Sequence, residues 1–145
     1  MMISTRGRYA MRIMIELATN EEKEYLTLKE VAENQGISEK YLESIIKILV
    51  KDGMVFGMRG KGGGYKLAKS PEECTVGSIL KLTEGSLAPV SCLEGERYGC
   101  DRAGECVTLP VWKELGDIID DYLESITLAN VVNQTKKVPS NDYII

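Results

Sequence analysis

The stretch TLKEVAENQGISEKYLESIIKILVKDG, residues 27–53, decides the fold. Thr27 and Glu30 have the spacing of a capping box, in which the two side chains bond each other's backbone N–H groups at a helix start. Gly36 is expected to end this first short helix, and Ser38 to begin a second one. Two short helices joined by a tight, glycine-containing turn are typical of a helix-turn-helix.

The second helix of this motif, predicted for about residues 39–51, has two different faces. Its hydrophobic residues recur at helical spacing and predict a buried side: Leu42, Ile45, Ile46 and Leu49. The opposite side is charged or polar: Glu39, Lys40, Glu43, Ser44 and Lys47. A helix of this kind packs on a core with one face and presents the other to solvent or a partner.

The residues around this motif extend it to a winged helix-turn-helix. Residues 54–56 and 65–68 are predicted strands, and the basic, flexible segment RGKGGG, residues 59–64, joins them as a wing. A first helix is predicted for about residues 6–19, capped by Ser4 or Thr5, with a buried stripe of Ala10, Ile13, Met14 and Leu17. We therefore expect residues 1–70 to form a DNA-binding region that is mainly α-helical with a small β wing.

Residues 71–145 predict a second region that forms one compact unit with the first. Thr75 can cap a helix over about residues 76–84, and Pro110 suits the first turn of a long last helix. That helix has a wide apolar stripe: Val111, Leu115, Ile118, Ile119, Tyr122, Leu123 and Ile126. One small winged domain offers little surface to cover it, so we expect a dimerisation helix and a homodimer.

Composition and charge narrow the class of protein. No apolar run approaches the roughly 20 residues of a membrane span, and the N-terminal residues lack the apolar core of a signal peptide, so we expect a cytoplasmic protein with no membrane partner. The net charge is −4, but residues 1–68 carry +2 and residues 69–145 carry −6. The front half is thus the more basic, and DNA binding requires only a local basic patch.

Enzyme classes fit this sequence poorly. It has no histidine to serve as a general base, and it shows no nucleophile motif. A thiol redox catalyst would need a C-x-x-C pair, which is also absent. We therefore expect a protein that is not an enzyme. A DNA-free interaction protein is the remaining class, and salt-dependent binding to duplex DNA distinguishes a regulator from it.

Three cysteines share one polar loop: Cys92, Cys100 and Cys106. Thiols stay reduced in the cytosol, where such cysteines are more typical of metal or redox sites than of disulfides. Gaps of seven and five residues without a histidine fit structural zinc poorly, which favours an iron–sulfur cluster. Structural zinc, plain surface thiols and an air-oxidised disulfide remain the alternatives. Cys74, which precedes a helix cap, is expected to be a small buried hydrophobic residue.

Three segments resemble the Rrf2 family of bacterial transcription regulators: ISTRGRYA at 3–10, YLE at 41–43 and RGKGGGY at 59–65. With the cysteine loop, they are most similar to the family's iron–sulfur regulators, over residues 1 to about 132. The resemblance implies a homodimeric winged-helix repressor or activator whose long C-terminal helices cross at the dimer interface. It also implies a cluster on the three loop cysteines, with 2Fe–2S favoured and 4Fe–4S possible.

The sequence departs from those regulators at the fourth cluster ligand. They carry a histidine three residues after the third cysteine, where this chain has Leu109. The family's nitric oxide sensors use an N-terminal aspartate of the partner chain, where this chain has Arg8. Other donors lie in or near the loop: Glu94, Glu96, Asp101, Glu105 and Tyr98. The signal could accordingly be cluster supply, an oxidant or nitric oxide.

The family also contains a repressor of cysteine metabolism that lacks this loop and senses through a partner protein. The alternative function is therefore a regulator of cysteine or sulfur metabolism, with a structural metal or redox thiols and no cluster. Fold alone does not distinguish the two.

The exposed face of the second helix and the wing predict contacts with double-stranded DNA. We expect that DNA to be a palindromic operator. Glu43 would be an ordinary solvated residue on most helices, but on a recognition helix it can accept a hydrogen bond from a cytosine amino group. Lys40 and Lys47 suit phosphates, and Arg59 suits a narrow minor groove. The predicted DNA-binding residues are Ser38, Lys40, Tyr41, Glu43, Ser44, Lys47, Arg59, Gly60 and Lys61.

Overall fold

The computed structural model describes residues 2–20, 22–95 and 99–137. In chain order its elements are α1 (Thr5–Thr19), α2 (Leu28–Gln35), α3 (Glu39–Lys51), β1 (Val55–Met58), β2 (Gly64–Leu67), α4 (Val76–Glu84), α5 (Leu109–Ser125) and α6 (Leu128–Lys137). Two 3₁₀ turns, Ser91–Leu93 and Ala103–Glu105, lie between α4 and α5. The predicted fold class, mainly helical with a small β wing, is confirmed.

The helix-turn-helix begins with the predicted capping box. The Thr27 hydroxyl accepts a hydrogen bond from the Glu30 N–H at 3.1 Å, and the Glu30 carboxylate accepts one from the Thr27 N–H at 2.8 Å. An ion pair with Lys23 and the bonds from Thr27 lower the pKa of Glu30 to about 2. Gly36 ends α2 with φ of 64°, a left-handed conformation that favours glycine. The local signals in this stretch therefore set its helix ends.

The core lies between α1 and α3. The predicted inner face of α3 is buried: Leu42, Ile45, Ile46 and Leu49. So is the predicted stripe of α1: Ala10, Ile13, Met14 and Leu17. Helix α1 packs against α2, α3, α4, α6 and β2, so elements from both halves of the chain meet on it. In the described residues no charged or polar side chain is buried. The division at residue 70 stays a prediction.

The wing is longer than predicted. Strand β1 continues past residue 56, and antiparallel pairing joins Gly57 to Tyr65 and Met58 to Gly64. The predicted strand stopped before Gly57, whose missing side chain leaves room for the Tyr65 ring to lie across it. A Cβ at position 57 would be 3.1 Å from that ring. Cross-strand packing therefore extends the hairpin over a residue that disfavours strands in isolation.

Two glycines of the wing are required by the protein's own packing. A Cβ on Gly63 would lie 2.2 Å from the Met58 carbonyl oxygen, and one on Gly64 would lie 2.4 Å from the Leu26 carbonyl oxygen. Gly64 also has φ of 144°. Leu26 and Tyr65 form a bridge beside it, with N–H to carbonyl distances of 3.0 and 2.7 Å. Gly63 thus allows the close turn within the wing, and Gly64 brings the wing against the segment that precedes α2.

Helix α4 is tied to α5 through Glu124. This carboxylate accepts hydrogen bonds from the Thr75 hydroxyl at 2.7 Å and from the Lys81 ammonium at 2.9 Å. Both contacts lower the pKa of Glu124, with Lys81 the larger cause. Lys81 also pairs with Asp120, so two carboxylates of α5 meet one cation of α4. The seam between these helices is polar.

The other end of α4 is tied to the start of α1. Glu84 accepts hydrogen bonds from the Ser4 N–H at 3.1 Å and from the Ser4 hydroxyl at 2.6 Å. Gly7 leaves room for this carboxylate, because a Cβ there would lie 2.2 Å from the nearer oxygen. The cysteine loop begins at the next residue, Gly85, so its first end is anchored on the winged half.

Helix α5 has the predicted stripe, in which Ile119, Leu123 and Ile126 are half-buried and the outer face is open. No residue of α5 is fully buried. Along its outer face, Val111 is 56% exposed, Leu115 40%, Ile118 58% and Tyr122 63%.

In the described ranges, no helix is both long and apolar enough to cross a membrane.

Candidate DNA-binding surface and cysteine loop

The outer face of α3 presents the predicted DNA contacts to solvent. Lys40, Glu43, Ser44 and Lys47 are all exposed. Glu43 and Lys47 lie one helical turn apart and form an ion pair at 3.2 Å. Exposed ion pairs of this kind contribute little to stability. Breaking this pair so that each side chain can contact DNA therefore costs little free energy.

Three of the predicted DNA-binding residues also have roles within the protein. The Ser38 hydroxyl caps α3 by accepting the Tyr41 N–H at 3.2 Å. The Ser44 hydroxyl donates to the Tyr41 carbonyl at 2.6 Å. The Tyr41 ring packs edge-on against Tyr9, with centroids 5.8 Å apart, at the margin of the core. Ser38 and Ser44 thus bond within α3, and Tyr41 packs α3 against α1, whether or not these residues contact DNA.

The wing and α3 share one open cleft. Glu43 and Lys47 line its helix side, and Arg59 and Gly60 line its wing side. Gly60 has φ of 96° and open space where a Cβ would point, so its backbone is accessible. Lys61 is exposed at the wing tip but does not line the cleft. The structure thus brings the charged residues predicted on two separate segments to one surface.

Sequence reasoning missed several residues of this cleft. Lys51 and Met58 also line it, and Lys51 is exposed in the last turn of α3. The signal for Lys51 was available, because it follows Lys47 by four residues and so lies on the same helix face. Met58 had no such signal, since its position depends on the extra length of β1.

The cysteine loop lies between α4 and α5. Cys92 is in the first 3₁₀ turn, and Cys106 directly follows the second. Cys92 and Cys106 are half-buried, Cys100 is exposed, and none of the three is in a disulfide. The Gly99 N–H donates to the Cys92 carbonyl at 3.0 Å, which holds two parts of the loop together. Of the oxygen donors named above, Glu96 and Tyr98 lie outside the described residues.

Cys106 lies at the start of α5 beside a hydroxyl. Its Sγ is 3.3 Å from the Thr108 Oγ1. Hydrogen bonding by the Thr108 side chain, then by the backbone of Thr108 and Leu109, lowers the pKa of Cys106, and Arg102 adds a favourable charge. Metal ligation requires the thiolate, so these neighbours favour the ligating form.

The chemistry of the three thiols fits an iron–sulfur cluster, but the loop does not bring the thiols close together. Three thiols in one partly exposed loop are soft ligands suited to iron–sulfur clusters. Within residues 2–20, 22–95 and 99–137, however, no group of three or more cysteine or carboxylate side chains is close enough to hold a metal. The three cysteines lie outside the core cluster.

Cys74 is separate from this loop. Its side chain is fully buried in the core, and burial raises the pKa of its thiol. Its carbonyl accepts the Leu128 N–H at 2.7 Å. The prediction of a small buried hydrophobic residue is confirmed.

Comparison with known proteins places these features in one family. A family model described as "Rrf2: Iron-dependent Transcriptional regulator" matches residues 3–134. The transcriptional regulator IscR of Pectobacterium carotovorum subsp. carotovorum is 38% identical over 133 residues, which is 92% of this chain and 80% of the relative. IscR of Cronobacter sakazakii is 34% identical over 142 residues, 98% of this chain and 86% of the relative.

Two solved structures have the same fold over nearly the whole chain. T. potens IscR matches with a TM-score of 0.75 and 34% identity, covering 99% of this chain and 95% of that one. CymR, the global cysteine regulator of B. subtilis, matches with a TM-score of 0.74 and 35% identity, covering 92% and 98%. The winged helix-turn-helix, the matched span and the IscR relatives lead to one conclusion: the chain belongs to the Rrf2 family of transcriptional regulators.

Proposed function

We propose that the protein is a homodimeric, IscR-like transcription regulator of the cytoplasm that senses iron–sulfur cluster status through Cys92, Cys100 and Cys106. The observation that carries this proposal is the three unpaired, partly exposed thiols in a single loop joined to a winged helix-turn-helix. Relatives described as IscR support the same reading.

The loop thiolates would supply three ligands and leave one iron position to another donor. A bound cluster would supply iron and sulfide, which react with oxidants or nitric oxide. When iron is scarce, the cluster would be absent. The exposed carboxylates of Glu94, Asp101 and Glu105 are the described candidates for the remaining position, with water or a small thiol as alternatives. A weaker fourth ligand suits a sensor, because an incompletely protected site loses its cluster readily. We favour 2Fe–2S, with 4Fe–4S possible.

The loop has two anchors through which its state would reach the DNA-binding half. At its start, Glu84 is bonded to Ser4 at the beginning of α1. Beyond its end, α5 is bonded to α4 through Glu124, which lies in the last turn of α5. Helix α1 packs directly on α2 and α3. A rearrangement that gathers the cysteines would therefore act on elements that support the recognition helix.

The DNA-binding side follows from two-fold symmetry. Dimerisation through the open face of α5 would present two recognition helices to a palindromic operator, with half-sites one helical turn or a multiple apart. In each half-site, Glu43 would read a base in the major groove while Lys40 and Lys47 contact phosphates. Arg59 would enter the minor groove from the wing.

Anaerobic purification with iron and sulfide analysis tests the cluster. Wild-type protein is expected to carry both and to absorb visible light. Alanine at any one of the three loop cysteines should abolish that absorption, since the loop has no spare thiolate. Cys74→Ala is the matched control and should keep it, because this thiol is buried in the core. Stoichiometric iron and sulfide in a triple-alanine protein, or zinc alone in the wild type, would show the proposal to be wrong.

A second function is favoured by one finding: CymR, the global cysteine regulator of B. subtilis, is as similar in fold as the IscR structure. In that case the chain would regulate cysteine or sulfur metabolism with a structural metal or redox thiols. It would then bind operator DNA equally well with and without iron and sulfide. A cluster regulator would instead change its affinity or its choice of site when the cluster is removed.

A further inference from the structure

The beginning of α5 differs from the beginnings of the other helices. Each of α1, α2, α3, α4 and α6 starts with a serine or threonine whose hydroxyl accepts a backbone N–H three residues ahead: Ser4, Thr27, Ser38, Thr75 and Thr127. Helix α5 also has a threonine, Thr108, at this position, yet its side chain makes no capping bond. Of the six described α-helices, α5 alone begins with a residue whose side chain makes no capping bond.

The hydroxyl of Thr108 is turned to sulfur instead. Its Oγ1 lies 3.3 Å from Cys106 Sγ, within hydrogen-bond distance for sulfur. With a neutral thiol, either atom can be the donor. A thiolate can only accept, so with Cys106 deprotonated the hydroxyl of Thr108 is the donor. The backbone of Thr108 is itself helical, with φ of −95° and ψ of −13°, and its carbonyl accepts the Val111 and Trp112 N–H groups at 3.0 and 3.3 Å. Its hydroxyl is therefore available to the sulfur.

We propose that Thr108 is a positioning residue for the cluster, donating a hydrogen bond to the Cys106 thiolate that binds iron. This inference rests on the proposed function and adds a residue to it. The side chain of Thr108 would touch the ligand sulfur and would not bind iron itself. Partners of this kind fix a ligand's orientation and tune the bound group.

The bond has a measurable electrostatic consequence. A hydroxyl hydrogen beside the ligand sulfur places partial positive charge next to the site, which favours the form that carries one more electron. Hydrogen bonds to cluster sulfurs are among the factors that set the reduction potential. Removing the hydroxyl should therefore move the midpoint potential to more negative values. A residue that merely started the helix would leave the potential unchanged.

Thr108→Val tests the inference, because valine keeps the shape of threonine and lacks the hydroxyl. The anaerobically purified full-length protein would be reduced by one electron per cluster with dithionite while its visible spectrum is recorded. Thr108→Val is expected to show a more negative midpoint than the wild type. Thr108→Ser restores the hydroxyl and should restore the wild-type value. Thr135→Val is the matched control, since that hydroxyl donates to the Val131 carbonyl within α6.

The possible outcomes separate the two proposals. If Thr108→Val carries a full cluster with the wild-type midpoint, the role of Thr108 is overturned and the cluster proposal stands. If Thr108→Val fails to hold a cluster while Thr108→Ser holds one, the hydroxyl is needed and the inference is supported, provided circular dichroism shows equal helix content. If the wild type carries no iron and sulfide, both proposals are overturned.

Discussion

Helices α3 and α5 are both amphipathic, but only α3 has its apolar face covered. Leu42, Ile45 and Leu49 of α3 are fully buried against α1 and its neighbours. The corresponding face of α5 lies open, with Ile118 and Tyr122 more than half exposed. Periodicity thus identifies which face of a helix is apolar, while the covering surface depends on what else is present. For α3 that surface is in the same chain, and for α5 we propose a second copy.

The largest expected effect comes from the covered face. Ile45→Ala removes a fully buried side chain and leaves a cavity, so we expect the free energy of unfolding to fall by about 2–5 kcal/mol. This loss should be the same at low and high protein concentration. Ile118→Ala is the matching change on the open face of α5. In dilute protein it should lower the free energy of unfolding by less than about 0.5 kcal/mol. Urea unfolding at two concentrations measures both, and a large loss for Ile118→Ala at high dilution would break the comparison.

A second prediction concerns the open face directly. The proposed dimer would bury Ile118, so Ile118→Asp should raise the dissociation constant on the order of 100-fold, or about 2.7 kcal/mol. A buried carboxylate without a partner is the reason for that cost. Asp121 is also exposed on this helix but lies outside the apolar stripe, so Asp121→Ala should leave association unchanged. Sedimentation velocity measures both variants, and a wild-type monomer at micromolar concentration would rule the dimer out.

Prediction from sequence succeeded where the interactions are local. The bounds of α3, Glu39–Lys51, agree with the prediction because Ser38 and the Asp52-Gly53 pair act within one turn of its ends. The capping boxes at Thr27 and Thr75 are likewise interactions over three residues.

Prediction failed where distant parts of the chain meet. The bond of Glu84 to Ser4 joins residues 80 positions apart, and no periodic pattern encodes it. The extra length of β1 depends on the Tyr65 ring across Gly57. The cysteines could be identified as candidate ligands from their types and spacing. Their assembly into one site could not, because a metal–ligand cluster is itself part of what would bring them together.

The third prediction compares the two sides of the DNA-binding cleft. Glu43→Ala should relax discrimination by roughly 1–3 kcal/mol at a single base pair of each half-site, since a base contact is lost. Arg59→Ala should weaken binding most at A·T-rich flanks, where the minor groove is narrow. Fluorescence anisotropy with operator and random duplexes at fixed salt separates these effects. Equal losses on both duplexes for Glu43→Ala would show that this residue reads no base.

The smallest expected effect concerns the polar seam between α4 and α5. Lys81 and Thr75 lower the pKa of Glu124 in the folded protein below its ordinary 4.5, so its stabilising contribution is full above pH 4.5 and is lost as the pH falls through the folded value. Because the side chain is 38% exposed, that contribution is below about 1 kcal/mol.

Glu124→Gln should therefore lower the urea midpoint slightly at pH 7 and by less at pH 3. Glu114→Gln, an exposed change on the same helix, serves as the control and should show no such difference between the two pH values. A Glu124→Gln effect that grows in acid would contradict the direction of the pKa shift.

The placement of Trp112 gives the open face of α5 an optical consequence. It is the single tryptophan of the chain, it lies in the first turns of α5, and its side chain is 36% exposed. Indole emission shifts to shorter wavelength when water is excluded from the ring. The tryptophan fluorescence of this protein therefore reports on α5 and its surroundings. Changes confined to the recognition helix and the wing should leave the emission unchanged.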